Sequence, residues 1–196
     1  PADGTYYIAV FEENVGGNYG LAVGTRETFT AEEWLLIPFV SFRTYQWEGQ
    51  TTLSILAPSI IAFFVSVGYA AWTSRRRDVP MDGLWLMTVI SGSLMVATAA
   101  SILYQMTWGL SKVGWVNFAL VSIMFAVIPL FLGLMIIRIG LRDSRARPLT
   151  HRTRLALLLI GAVGLLFWAG WIAGPILAII SAFFPRRWMN RDHSDA

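Results

Sequence analysis

Apolar residues run almost without interruption through four stretches, Thr52 to Thr73, Gly83 to Tyr104, Trp115 to Ile137 and Leu155 onward, with polar or arginine-rich segments between them. Each holds about 20 residues or more, enough at about 1.5 Å rise per residue to cross a hydrocarbon core of about 30 Å. The pattern predicts a mainly α membrane protein whose four-helix transmembrane bundle has spans over 52–73, 83–104, 115–137 and 155–174.

The fourth stretch admits two readings. Leu155 to Phe184 is uncharged throughout and would be about 45 Å long as one straight helix, more than a bilayer core requires. Gly170, Gly174 and Pro175 are expected to break it. In the first reading 155–174 is a full span and 175–184 lies at the outer interface. In the second, a re-entrant hairpin turns at Trp168 to Pro175 and returns Arg186, Arg187 and Arg191 to the cytoplasm. The full span is preferred, because two halves of about 14 residues are each too short to cross and a buried turn needs protein around it.

Ahead of the spans, residues 28–50 read as an interfacial amphipathic helix and a turn. Thr30 and Glu33 have capping-box spacing, Phe29 and Trp34 occupy the staple positions, and the helix is expected to start at Ala31. Its body is aromatic and apolar but contains Pro38, Arg43 and Gln46, which suits a helix lying along the membrane surface better than one crossing it. Trp34, Tyr45 and Trp47 are its expected interfacial anchors.

Residues 1–27 carry a different pattern. Gly4-Thr5-Tyr6-Tyr7-Ile8-Ala9-Val10-Phe11 and Tyr19-Gly20-Leu21-Ala22-Val23 are strand-like, and the turn residues Glu12 to Asn18 separate them, predicting a β-hairpin. An isolated hairpin is marginal in water, so it is expected to close a larger sheet whose other strands lie upstream or on another chain. Residues 4–25 resemble the last two strands of pre-peptidase C-terminal β-sandwich domains. The resemblance implies an extracytoplasmic sandwich of binding or structural character. No charged segment followed by a short apolar run stands at the start, so no signal peptide is expected there. The expected organisation is therefore 1–27 sandwich end, 28–50 interfacial helix, 51–184 transmembrane domain and 185–196 polar tail.

Composition agrees with lipid as the solvent: 56% of the 196 residues are hydrophobic, nine are Trp and only 14% are charged. The net charge of +3 comes from arginines concentrated in loops that flank apolar segments, so it predicts orientation and no nucleic-acid partner. Arg75, Arg76 and Arg77 close the first span, and Arg138, Arg142, Arg145, Arg147, Arg152 and Arg154 follow the third. By the positive-inside rule loops 74–82 and 138–154 are cytoplasmic and the amino-terminal region is extracytoplasmic. The same arginines are candidate contacts for anionic lipid headgroups.

Little catalytic chemistry accompanies this topology. There is no cysteine, and only His151 and His193 could supply imidazole, which excludes thiol chemistry and bis-histidine haem within the chain. No Asp, Glu, Lys or His lies inside the expected spans, whereas proton- or ion-coupled transport places such groups at depth. The scattered methionines read as packing residues, and Asp3, Glu12 and Glu13 lack calcium-loop spacing. No cofactor, metal site or catalytic residue is therefore expected. Asn117, Ser91, Ser93, Thr98 and Ser101 are able to bond across helices, while Ser93, Ala97 and Ser101 form a small-residue stripe and Gly170 with Gly174 a GxxxG pair, all suited to close helix packing or partner contact. The reading is a non-enzymatic membrane anchor or accessory subunit that works with other membrane subunits. Its alternative is a transporter or channel component with an oligomeric pore around the broken fourth segment.

Overall fold

The computed structural model describes residues 30–114, 118–142 and 149–183. Among these the chain forms α1 (Ala31–Trp47), α2 (Thr52–Arg76), α3 (Gly83–Val113), α4 (Phe118–Gly140), α5 (His151–Leu166) and α6 (Ala173–Ala182), with no strand. The expected β-hairpin and the polar tail lie outside the described residues. Three helices, α2, α3 and α4, are long and apolar enough to cross a membrane, and the protein is a mainly α membrane protein. The chain divides into two units, residues 1–50 and 51–196.

In the first unit α1 begins where its capping box directs. The Thr30 hydroxyl accepts the Glu33 N–H at 3.2 Å, and the Glu33 carboxylate accepts the Thr30 N–H at 2.8 Å. That Thr30 N–H, joined by the Thr30 hydroxyl donating to the same carboxylate oxygen at 2.9 Å, holds the Glu33 carboxyl below its ordinary range. Burial pushes the Tyr45 hydroxyl up, and the nearby Glu48 charge adds to the effect. None of the helix is fully buried, and Leu35, Leu36, Phe39, Val40 and Trp47 are exposed.

Three helices end in the same way. After α1 the Gln50 N–H returns to the Tyr45 carbonyl, after α2 Val79 returns to Ser74, and after α5 Ala169 returns to Gly164, each closing a Schellman turn. The left-handed residue that this turn requires is Gly49 (φ 86°), Asp78 (φ 50°) and Trp168 (φ 46°) respectively. Pro80 then prevents α2 from resuming, and Asp82 starts α3 by accepting the Trp85 N–H at 2.8 Å.

In the second unit α3 is the hub, packed against α2, α4 and α6. Ala70 of α2 meets Val89 and Trp85 of α3 and Ile137 of α4 in one apolar cluster, and the Trp85 indole N–H donates to the buried Ser74 hydroxyl at 2.7 Å. A second cluster joins Met95 to Leu132 and Ile136 of α4, Leu157 and Ile160 of α5, and Ala178 and Ala182 of α6. Outward, α2 exposes Ile60, Ile61, Phe64, Val65 and Trp72, as a lipid-facing helix does.

Two boundaries differ from expectation. The helix α3 continues past Tyr104 to Val113, because the segment expected as a loop holds residues that pair along a helix face: Tyr104 with Trp108, and Lys112 over the Trp108 ring at 5.2 Å. Gly114, at φ 76°, ends it. The expected span over 155–174 is instead two helices: α5 stops at Leu166, and α6 runs back beside it.

Candidate functional site

The antiparallel return of α6 rests on three glycines. A Cβ on Gly161 would lie 2.5 Å from Ile179 and 3.0 Å from the Pro175 carbonyl oxygen, and one on Gly164 would lie 3.0 Å from both Pro175 and Met95. A Cβ on Gly174 would lie 3.2 Å from the carbonyl oxygens of Ser91 and Ala169. Residues 161 and 179 could not approach in this way along one continuous helix, which would separate them by about 27 Å.

The turn between the two helices, Phe167 to Ile172, is held by α3. Thr98, the central residue of α3, accepts the Gly170 N–H at 2.8 Å, and the Ser91 hydroxyl donates to the Gly174 carbonyl oxygen at 2.6 Å. At the other end of the hairpin, Leu149 packs with Leu84 and Met87 near the start of α3. The hairpin therefore enters from the arginine-bearing end and turns at half the length of α3. The turn needs protein around it, and α3 supplies that protein, which removes the objection to a broken segment at this depth.

The backbone of the turn is strained. Trp168, Trp171 and Ile172 have φ of 46°, 55° and 69°, a region that costs non-glycine residues about 1–2 kcal/mol each and a β-branched residue most. Three helices of the bundle start with a side-chain cap, from Thr51, Asp82 and Thr150, whereas α6 starts at Ile172 with none. Its first turn is tied by backbone bonds instead, Gly174 to Gly170 at 2.9 Å and Ile176 to Ile172 at 3.2 Å.

Of the small-residue stripe, Ser93 and Ala97 are buried and Ser101 is half-buried. Ser93 lies one turn above Val89, on the face of α3 that carries the cluster shared with α2. Its buried hydroxyl has no hydrogen-bond partner among the described groups. Gly170 and Gly174 are both buried, and a Cβ on Gly170 would sit 2.9 Å from the Gly174 Cα, so the pair closes the turn on itself and on α3.

The tightest helix crossing had no counterpart in the sequence reading. Gly92 and Gly133 bring α3 and α4 into backbone contact, and Gly140 packs against Thr88 one step further along. The available signal was the spacing of seven from Gly133 to Gly140, two turns along one face of α4.

The described arginines of the second unit lie at one end of it. Arg75, Arg76 and Arg77 are exposed where α2 ends, with Arg76 over the Trp72 ring at 4.0 Å. Arg138 and Arg142 are exposed at the end of α4, while Arg145 and Arg147 lie outside the described residues. On α1 the expected anchors Trp34 and Tyr45 are half-buried and Trp47 is exposed.

Among the described residues the buried polar side chains of the second unit are hydroxyls, and no group of three or more His, Cys, Asp or Glu side chains is placed to hold a metal ion. Of these, Ser74 ties α2 to α3 and Ser91 ties α3 to α6, whereas Thr88 and Ser181 bond carbonyls of their own helices. Comparison with known protein families, with curated proteins and with solved structures finds no match.

Proposed function

We propose that the protein is a non-catalytic membrane anchor or accessory subunit, holding an extracytoplasmic β domain through its amino-terminal strands and associating with other membrane subunits. One observation carries this reading: the broken segment, where backbone polar groups of the described residues leave the regular helix at mid-depth, is closed by Ser91, Thr98 and tight glycine contacts of the same chain. Groups that are already paired and close-packed serve rigidity rather than solute passage. The aromatic, unburied α1 supports a helix that rides at the headgroup level and sets the outer domain on the membrane. The arginine distribution supports an extracytoplasmic amino-terminal region, with loops 74–82 and 138–154 in the cytoplasm.

Purification of the full chain in mild detergent, followed by mass spectrometry of co-migrating chains, tests the reading. A stoichiometric membrane partner is the expected result; a strictly monomeric species with a turnover activity would overturn it.

A second reading has its own support. Discontinuous helices with left-handed residues at half-depth line the substrate sites of transporters, and Trp168 to Ile172 has that backbone. In this reading oligomerisation around the hairpin forms a pore. Solute flux in proteoliposomes that disappears on Gly174→Leu, while the protein stays folded and assembled, would favour it over the anchor.

A further inference from the structure

Between the end of α4 and the start of α5 lies a groove of about 530 Å³. Its walls are sorted by chemistry. Phe131, Met135 and Ile139 provide an apolar strip along α4, with Phe131 62% and Met135 38% exposed. Arg138, Arg142 and Arg152 stand at the mouth, all exposed. From Phe131 to Gly140, where α4 ends, the helical rise is about 13 Å, close to the depth of one leaflet of the hydrocarbon core, and Arg142 follows just beyond.

The mouth also breaks a rule of helix electrostatics. The first turn of α5 carries His151, Arg152 and Arg154 and no acidic residue, although the amino-terminal end of a helix is its positive pole. Basic residues there are locally unfavourable, and an anion held at that end reverses the sign. The Thr150 hydroxyl caps only the Thr153 N–H, at 3.3 Å.

We infer that this groove is a binding site for one anionic phospholipid, its phosphate held by Arg138, Arg142 and Arg152 and an acyl chain laid along Phe131, Met135 and Ile139. The apolar strip selects a lipid over a soluble phosphate, and the arginine fork selects an anionic headgroup over a zwitterionic one. The site depends on the bilayer location of the protein but not on the anchor role, so the two fail separately: lipid selectivity is measured on the purified chain without any partner.

The test is native mass spectrometry of the full chain in detergent, titrated with phosphatidylglycerol or with phosphatidylcholine of the same acyl chains. The expected result is one phosphatidylglycerol retained per chain. Arg138→Gln, Arg142→Gln and Arg152→Gln each weaken it about fivefold, and the triple variant weakens it on the order of a hundredfold, as expected for basic residues near a membrane surface. Arg75→Gln, Arg76→Gln and Arg77→Gln combined leave the single bound lipid in place. Unchanged selectivity in the groove triple variant would overturn the site, as would equal loss in the Arg75–Arg77 variant, which would reduce the effect to general surface charge. Displacement of the bound lipid by inorganic phosphate or glycerol phosphate at the same concentrations would assign a soluble-anion site instead. Circular dichroism and size-exclusion profiles of each variant distinguish lost binding from lost folding.

Discussion

Gly92 of α3 and Gly133 of α4 face each other so closely that a Cβ on either would lie 2.6 Å from the other's carbonyl oxygen. Backbone cannot yield as a flexible side chain can, so the crossing tolerates no added methyl group without the two helices moving apart. Gly92→Ala or Gly133→Ala is expected to destabilise the bundle by about 1–3 kcal/mol. Gly68→Ala and Gly109→Ala are the controls, since a Cβ at either meets nothing within 4 Å. They are expected to be neutral or to stabilise by up to about 1 kcal/mol. Reversible unfolding in mixed micelles, with helicity as the readout, ranks the four.

The two hydrogen bonds that fasten the hairpin to α3 should not be equal. The Gly174 carbonyl belongs to the first turn of α6 and also has the helix's own bond available, so Ser91→Ala is expected to cost about 0.6 kcal/mol, the average for an interhelical hydrogen bond in lipid. The Gly170 N–H lies in the irregular turn and has the Thr98 hydroxyl as its partner. Thr98→Val keeps the shape and orphans that donor, for an expected cost of about 1–3 kcal/mol. Thermal unfolding of both variants in one detergent checks the order, and a smaller effect for Thr98→Val would contradict the assignment.

Asp78 occupies the left-handed position of the turn that ends α2, at φ 50° and exposed to solvent. Its successor Val79 is buried in the α2–α3 cluster, so the backbone conformation is fixed by packing rather than by the preference of Asp78 itself. Asp78→Gly removes the Cβ clash and is expected to stabilise by about 1 kcal/mol, read as a rise in the unfolding midpoint.

How much of this was legible in the sequence follows from the range of each signal. The first three long helices and the start of α1 at Ala31 depend on residue composition and on neighbours three or four apart, and a sequence displays both. The direction of the last segment depends on whether something at mid-depth accepts a turn. That something is Thr98 and Ser91, some seventy to eighty residues away in the chain, and their hydroxyls bond the hairpin only once α3 and α6 are side by side. The glycines at 170 and 174 signalled a break, and Arg186, Arg187 and Arg191 beyond it favoured a reversal under the charge rule; what no local signal showed was the protein that a turn at this depth needs around it. The Gly92–Gly133 contact is hidden for the same reason, being a property of two helices rather than of either. The arginine groove divides similarly: Arg138, Arg142 and Arg152 were read from their place between two apolar stretches, while the groove that gathers them beside Phe131 and Met135 exists only through the packing of α5 beside α4.

The Glu33 carboxyl is held below its ordinary value of 4.5 by its bonds to Thr30. A depressed carboxyl contributes helix stability that is fully present above the ordinary value and disappears as pH falls through the lowered one. The amino-terminal turn of α1 is therefore expected to hold at pH 5 and to loosen only below the usual glutamate range, while Thr30→Ala loosens it at every pH, at a cost of about 1 kcal/mol. Hydrogen exchange of the amides at residues 32–34 in the full chain, measured across this pH range, reads both effects. With exchange expressed as protection relative to the intrinsic rate at each pH, protection already lost at pH 6 would contradict the capping box.

Because the chain contains no cysteine, any single cysteine introduced is the only thiol, and an impermeant maleimide then reports the side on which that residue lies. Met81 and Lys112 stand at opposite ends of α3, about 46 Å apart along a 31-residue helix, and Phe183 follows α6. All three are exposed. A continuous fourth span would bring Phe183 to the Lys112 side. The antiparallel packing of Gly161 against Ile179 brings it instead to the end where α5 begins, which is the Met81 side. With loops 74–82 in the cytoplasm, Lys112→Cys is expected to label on intact cells, and Met81→Cys and Phe183→Cys only after permeabilisation. Labelling of Phe183→Cys together with Lys112→Cys would contradict the hairpin. If Met81→Cys and Phe183→Cys label on intact cells and Lys112→Cys does not, the hairpin stands and the orientation drawn from the arginines is reversed.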